Sequence, residues 1–467
     1  MTSEEYEQAA LNLAYSSVDD YANKLLKGLP WTQNTDAVPS CKNIIRISTM
    51  TNQNSTILSQ ARKLGGLSWF YNQGFLQNFV QLTSFDVNQG SMAGIKSSTS
   101  GSFIAASSPQ VYATEDKLVL ACRGYRYDLM SGNDASYNEY TNLITFDLSG
   151  AVATPKSIGE VDGYFNDQYS IDYYDGFFRI ATTNGQKWAS SVNNTDGSYT
   201  WQTISESTSQ VYVLEEQSSE LVVVGALKDL GKGETIQSVR FLGNKGYVVT
   251  FKQVDPLFII DLSSPTNPAV ASELKATGFS QYMHPIKDGN FLLTVGQEAT
   301  TEGVLTGVKI SVFNVTDPSA PSEVQKYVVE NGDGWASTDA SWDYYAFRYL
   351  DQSEVLIIPE SVYNWQIPNV SFDGFVVYQI DLADGIKPLG NVTHADYDFM
   401  QHYCWGGAYL PSRSMVFNGD LVTFKSHSIL RTSTVGTLKT KVWELNLDNG
   451  RNKSSVSCYN YGPWVMF

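Results

Sequence analysis

The sequence predicts an all-β fold of repeated four-stranded antiparallel units, and three observations predict it. From residue 40 on, helical periodicity gives way to short β-branched and aromatic runs separated by Gly, Asn, Asp, Pro and Ser turns. The stretch 235–276 reads as four strands, TIQSVRFLG, NKGYVVTFK, DPLFIIDLSS and NPAVASELKA, and the same design follows at 281–329. A marker recurs at the end of the third strand, where an apolar run closes on an acid or amide, followed by a small apolar residue at every hit but Glu215, which Glu216 follows. It occurs at Asp86, Asp147, Glu215, Asp261, Asn314, Asp381 and Asn446, at intervals of 46 to 68 residues. A propeller blade takes ~40–50 residues, and the longer intervals leave room for loops. Seven markers predict a single seven-bladed β-propeller over residues 41–467, with each sheet buried between its neighbours. A pair of β-sandwiches is the competing arrangement. The marker runs the length of the chain, however, and no Pro/Gly/Ser linker divides it.

Residues 1–40 form a helix and linker in this reading. Thr2 and Glu5 have capping-box spacing. Tyr6, Ala10, Leu13, Val18, Tyr21 and Leu25 recur at helical intervals over 3–27, and Gly28 and Pro30 end the run. The start has no basic segment followed by an apolar one, so it carries no visible signal peptide.

Composition narrows the function classes. The 467 residues hold 31 Lys+Arg against 48 Asp+Glu, a formal net charge of -17. Nucleic acids and anionic membranes need a basic footprint, so neither is an expected partner. Charged residues make up only 17% and aromatics 13%, the composition of a folded chain. No apolar run reaches the 18 residues of a membrane-spanning helix.

The cysteines are Cys41, Cys122, Cys404 and Cys458, without a CxxC pair, which disfavours structural zinc. Their even number fits two disulfides or four buried thiols. If bridges form, Cys41–Cys122 and Cys404–Cys458 are the chosen pairs among three connectivities. Sequons occur at Asn54, Asn193, Asn314, Asn369, Asn391 and Asn452. About five arise by chance in this composition, so they are no evidence that the chain is a glycoprotein.

Several long segments then resemble a known family. GEVDGYFNDQYSIDYYDGFFRIATTNG (159–185), KDLGKGETIQSVRFLGNKGYVVTFKQVDPLFIIDLSSPTNP (228–268), ATGFSQYMHPI (276–286) and VKISVFNVTDPSAP (308–321) resemble, in order, the secreted β-propeller family distantly related to WD-repeat proteins. The match covers about 159–350. It implies one propeller, exported or attached to the cell surface with its leader removed, in a family without an established activity or catalytic residues. One departure stands out. The family often has a His-Lys-Ala-Phe-like stretch after VFNV, where this chain has Tyr344, Tyr345, Ala346 and Phe347.

Three groups of residues are candidates for chemistry. His394, Asp396, Asp398 and His402 are a zinc- or manganese-type ligand set, weighed against a solvated acidic loop. Asn331, Asp333, Asp339 and Asp343 offer oxygen ligands suited to Ca²⁺, without the EF-hand pattern. Trp335, Trp342, Trp365 and Trp405 lie in or near loops, with Trp188, Tyr199 and Trp201 in an insertion; exposed, they would stack on sugars or anchor a protein. His284, on an inner strand before proline, reads as packing. No nucleophile elbow, zincin or phosphate-loop motif occurs. The expected function is a non-enzymatic extracellular or cell-surface module for binding, adhesion or assembly, whose partner is a protein, a glycan or its own copies. The alternative is a metal-dependent hydrolase or lyase at the channel mouth.

Overall fold

The computed structural model describes residues 78–85, 97–105, 109–127, 137–149, 153–193, 199–251, 255–300, 302–330, 334–364, 372–393, 412–417, 419–425, 428–432 and 441–446. The expected helix over 3–27 lies outside them. Every regular element longer than a 3-10 turn among the described residues is a β-strand. The chain divides into two compact units, 1–235 with 262–268, and 236–261 with 269–467.

The first unit begins with a hairpin of β1 (Asn78–Phe85) and β2 (Ser97–Ala105), and Asp86 directly follows β1. Two four-stranded sets come next. One is β3 (Gln110–Ala113), β4 (Lys117–Tyr127), β5 (Tyr137–Asp147) and β6 (Thr154–Asp162). The other is β7 (Ile171–Tyr174), β8 (Phe177–Asn184), β11 (Thr208–Gln217) and β12 (Glu220–Leu230), with a separate hairpin of β9 (Lys187–Asn193) and β10 (Tyr199–Ser205) inserted. The sequence predicts separate blades, but these two sets join edge to edge in one eight-stranded sheet, β3-β4-β5-β6-β12-β11-β8-β7. The junction is a short parallel pairing of Ile158 with Glu220, closed by Ile158 N–H donating to the Ser219 carbonyl at 3.1 Å. Gly159 makes it possible, because a Cβ there would lie 2.3 Å from the Leu221 carbonyl oxygen.

The second unit holds four further sheets. They are β13 (Thr235–Leu242), β14 (Lys245–Phe251), β15 (Asp255–Asp261) and β16 (Ala269–Ala276); then β17 (Phe279–Ile286), β18 (Phe291–Ala299), β19 (Leu305–Asn314) and β20 (Ser322–Glu330). In the third, the first strand is split into β21 (Gly334–Ser337) and β22 (Arg348–Leu350), both paired with β23 (Val355–Asn364), followed by β24 (Phe372–Asp381) and β25 (Gly385–Thr393). The last sheet is β26 (Arg413–Phe417), β27 (Asp420–Lys425), β28 (Ser428–Thr432) and β29 (Lys441–Asn446).

Burial follows strand position. The middle strands β14, β18 and β19 are buried on both faces, whereas the outermost β16 and β20 alternate with solvent. That pattern arises when apolar sheet faces stack on one another. In the first unit Val119 and Leu143 pack against Phe178, Tyr212 and Leu214 of the next set. In the second, Tyr247 and Ile259 pack against Phe279, Met283 and Leu292.

Three of the marker residues make the corner between third and fourth strands, whereas Glu215 lies within β11, two residues before its end. Asp147 Oδ1 accepts from Ser149 N–H at 2.9 Å, Asn314 Oδ1 from Thr316 N–H at 3.0 Å, and Asp381 Oδ1 from Ala383 N–H at 2.8 Å. These are Asx turns, in which a short side chain mimics a backbone turn. A β-bulge sits just ahead of the markers Asp147, Asp261, Asn314 and Asp381, adding the twist that leads into the outermost strand. Asn446 departs from expectation, because it ends the fourth strand of its sheet. The strands there are only five or six residues long, so four of them fit before the marker.

Gly159→Ala should lower the free energy of unfolding by about 2 kcal/mol, the usual scale for overpacking at a close backbone approach. The urea midpoint checks it, and an unchanged midpoint would show that the parallel junction contributes nothing.

Candidate functional site

The split in the first strand of the third sheet creates an exposed aromatic surface in the second unit. Residues 338–347 leave β21 and return at β22 through two 3-10 turns, Asp339–Ser341 and Tyr344–Ala346. Each turn is capped by its own sequence. Thr338 Oγ1 accepts from Ala340 N–H at 3.2 Å and donates to the Pro359 carbonyl at 2.6 Å. Asp343 Oδ1 accepts from Tyr345 N–H at 3.1 Å. Ala340, Ala346 and Phe347 are buried and anchor the segment.

Two contacts tie it to the following sheet. Ser412 Oγ donates to Asp339 Oδ2 at 2.5 Å, and Arg413 Nη1 donates to Asp343 Oδ2 at 2.6 Å. With its frame held this way, the segment leaves Trp342 and Tyr345 each 60% exposed. The Tyr344 and Tyr345 ring centroids are 4.0 Å apart, and the Arg413 guanidinium stands 5.2 Å from the Tyr345 ring. The result is a rigid aromatic shelf with a cation beside it, able to stack on a planar or ring-shaped ligand.

Trp342, one of the four candidate tryptophans, is thus exposed on this shelf. Trp335 is half-buried on β21, opposite Tyr363 of β23. Asp339 and Asp343 both belong to the shelf, but one carboxylate is engaged by a hydroxyl and the other neutralised by arginine. Their proposed companions Asn331 and Asp333 lie outside the described residues, as do His394, Asp396, Asp398, His402, Trp365 and Trp405. Among the described residues no group of three or more His, Cys, Asp or Glu side chains converges as a metal site. Cys122 is buried on β4, and Cys41, Cys404 and Cys458 lie outside the described residues. Tyr345 and Arg413 escaped the sequence reading as binding residues. The visible signal was the Tyr-Tyr pair in place of the family's His-Lys.

His284 is packed, as its inner-strand position implied. It lies on β17 with its ring 5.2 Å from Phe347 and 5.9 Å from Tyr349, and its Nδ1 is 3.4 Å from the Tyr282 hydroxyl. Burial, with repulsion from Arg240, pulls its pKa from 6.5 down to about 4 against the opposing pull of Asp351. Glu360 moves the other way. It is 2% exposed on β23, and burial raises it from 4.5 to about 7, opposed by the Tyr378 hydroxyl at 2.5 Å and by Lys425. The unfolded chain takes a proton on His284 near pH 6.5 that the folded chain refuses until about 4, so this stability is present above 6.5 and is lost on acidification. It amounts to about 2 kcal/mol by pH 5. For Glu360 the favourable protonated state is complete below 4.5 and is lost as pH rises through about 7. His284→Phe should therefore remove about 2 kcal/mol of the difference in unfolding free energy between pH 7 and pH 5. Urea titrations of both proteins at the two pH values check it; identical pH dependence would mean that the imidazole titrates normally.

A family model described as Beta propeller domain matches residues 16–437. An uncharacterized protein of Methanocaldococcus jannaschii is 38% identical over 221 residues, which are 47% of this chain and 31% of that protein. An uncharacterized protein of Archaeoglobus fulgidus is 32% identical over 276 residues, 58% of this chain and 36% of its own. The matches thus span about a third of the length of these curated relatives. Among solved structures, Sqt1 of Chaetomium thermophilum aligns with a TM-score of 0.31 at 11% identity, covering 73% of this chain and 86% of that one. With its repeated four-stranded sheets and a family match over most of its length, the chain belongs to the Beta propeller domain family.

Proposed function

We propose that the protein is a non-enzymatic binding and assembly module at a cell surface or outside the cell, built as one closed ring of seven four-stranded blades. Six four-stranded sets stand among the described residues, and the β1–β2 hairpin, with its marker directly after β1, supports a seventh. The partner is a surface protein, a surface glycan or another copy of the chain. The observation that carries the binding role is the shelf of Trp342 and Tyr345, both held in solvent by capped turns and the Asp343–Arg413 pair. Holding large aromatics exposed on a locked frame fits recognition, since the ordering entropy is already spent before the partner arrives. Export accords with Cys41–Cys122 and Cys404–Cys458 as disulfides.

A crystal structure of the whole chain tests the ring and the bridges together. Seven sheets around one axis with both pairs bridged are expected; six or eight sheets, or reduced thiols, would each overturn the corresponding part. The shelf is tested with the double variant Trp342→Ala/Tyr345→Ala, comparing glycan-array binding and self-association by analytical ultracentrifugation with the parent protein. A loss of about tenfold or more in one of these, at unchanged thermal stability, is expected for hot-spot aromatics. Full retention of both, or no binding of either kind by the parent, would remove the reading.

A further inference from the structure

A cleft of about 540 Å³, lined by none of the shelf residues, opens in the second unit where the turns leading from first to second strands converge. The β13–β14 turn contributes Leu242 and Lys245, the β17–β18 turn Pro285, Asp288 and Asn290, and the β22–β23 turn Asp351. Its volume falls within the range of small-ligand sites. The middle turn is held in an unusual shape. Lys287, Asp288 and Gly289 are consecutive left-handed residues, with φ of 52°, 57° and 80°. Two of the three carry a Cβ that disfavours this region. Gly289 N–H to the Ile286 carbonyl and Asn290 N–H to the Lys287 carbonyl, both at 3.1 Å, keep the turn closed, and Lys287 is itself bound to Glu354.

Two polar groups in this cleft are left without partners by the protein. Tyr247 lines it with its side chain 1% exposed, yet its phenol makes no hydrogen bond among the described residues. The hydroxyl is not one of the fully enclosed unpaired atoms, so it opens onto the cleft, where a group from outside can pair with it. Burial pushes the phenol up to about 12, which keeps it a donor at neutral pH. Lys245 likewise makes no ion pair among the described residues, although its charge reaches as far as Asp317. An unpaired ammonium next to an unpaired phenol suits a carboxylate with a neighbouring hydroxyl. Asp288, Asn290 and Asp351 add further acceptors for hydroxyl groups, and Leu242 and Pro285 supply an apolar wall. A sugar ring presents this same mixture of hydroxyl edge and C–H face.

We infer that this cleft binds an acidic sugar, a uronic acid residue whose carboxylate meets Lys245 and whose ring hydroxyls meet Tyr247 and the acids of the turns. The site uses none of the shelf side chains, so its test stands apart from that of the shelf.

The experiment titrates the full chain with D-glucuronate, D-glucose and acetate, following binding by NMR, for the parent protein, Tyr247→Phe and Lys245→Gln. Tyr247→Phe keeps the packed ring and removes only the hydroxyl. Glucuronate should bind about tenfold more tightly than glucose or acetate, a margin on the scale of one charge-assisted hydrogen bond. Tyr247→Phe should weaken glucuronate about fivefold at undiminished thermal stability, and Lys245→Gln should bring it down to the level of glucose. Absence of binding at about 20 mM glucuronate, far above the range of a useful sugar site, would overturn the inference. So would equal binding of glucose or acetate, or variants that bind glucuronate as the parent does.

Discussion

The middle strands β14, β18 and β19 are buried on both faces, and the structure depends on covering both. Leu292 and Leu293 are adjacent on β18, point to opposite sides of the sheet and are both fully buried. A single four-stranded set would leave both of those faces in water. Each set therefore has to be stacked on another, as in repeat proteins whose units cannot bury their surfaces alone. The outermost strands, exposed and alternating, are where this requirement ends.

Stacking on this scale traps polar groups, and the protein meets the problem with paired charges. Lys117 reaches Glu216 at 2.7 Å in the first unit, and Thr145 and Ser157 bond the same carboxylate. In the second unit Lys425 reaches Asp373 at 3.1 Å and Ser361 at 3.2 Å. The buried Lys309 donates to the Thr277 carbonyl at 2.5 Å. Each pair joins a particular strand to a particular neighbour, and a slipped stacking would leave the charges buried and unpaired, at a penalty of several kcal/mol on the order found for broken buried pairs. The pairs thus favour one stacking over others. Glu360, His284 and their neighbours follow the same logic with single protons.

Recognition surfaces arise where this covering requirement lapses. The 338–347 segment interrupts a first strand without breaking its sheet, because β21 and β22 both pair with β23. Ala340, Ala346 and Phe347 face inward and anchor it, while Trp342 and Tyr345 are turned outward. At the strand turns the backbone itself sets the walls of the cleft, and side chains such as Lys245 and Asp351 are spare to the packing.

Much of the fold is legible in the sequence because it is local. Alternation marks the strands, and an Asp or Asn two residues before a turn N–H makes the corner at Asp147, Asn314 and Asp381 wherever it occurs. The repeat spacing then carries the architecture, and exposed Trp342 follows from an aromatic in a polar loop. Other features depend on residues far apart in the chain. The edge-to-edge union of two sets rests on Gly159 meeting Leu221. The shelf needs Arg413 brought 70 residues back to Asp343, and the cleft needs three separate turns to meet around Tyr247. Local periodicity determined the strands, the corners and the number of repeats to expect. Only tertiary packing decided which side chains those strands bring together, because proximity across stacked sheets depends on register and twist that no single strand encodes.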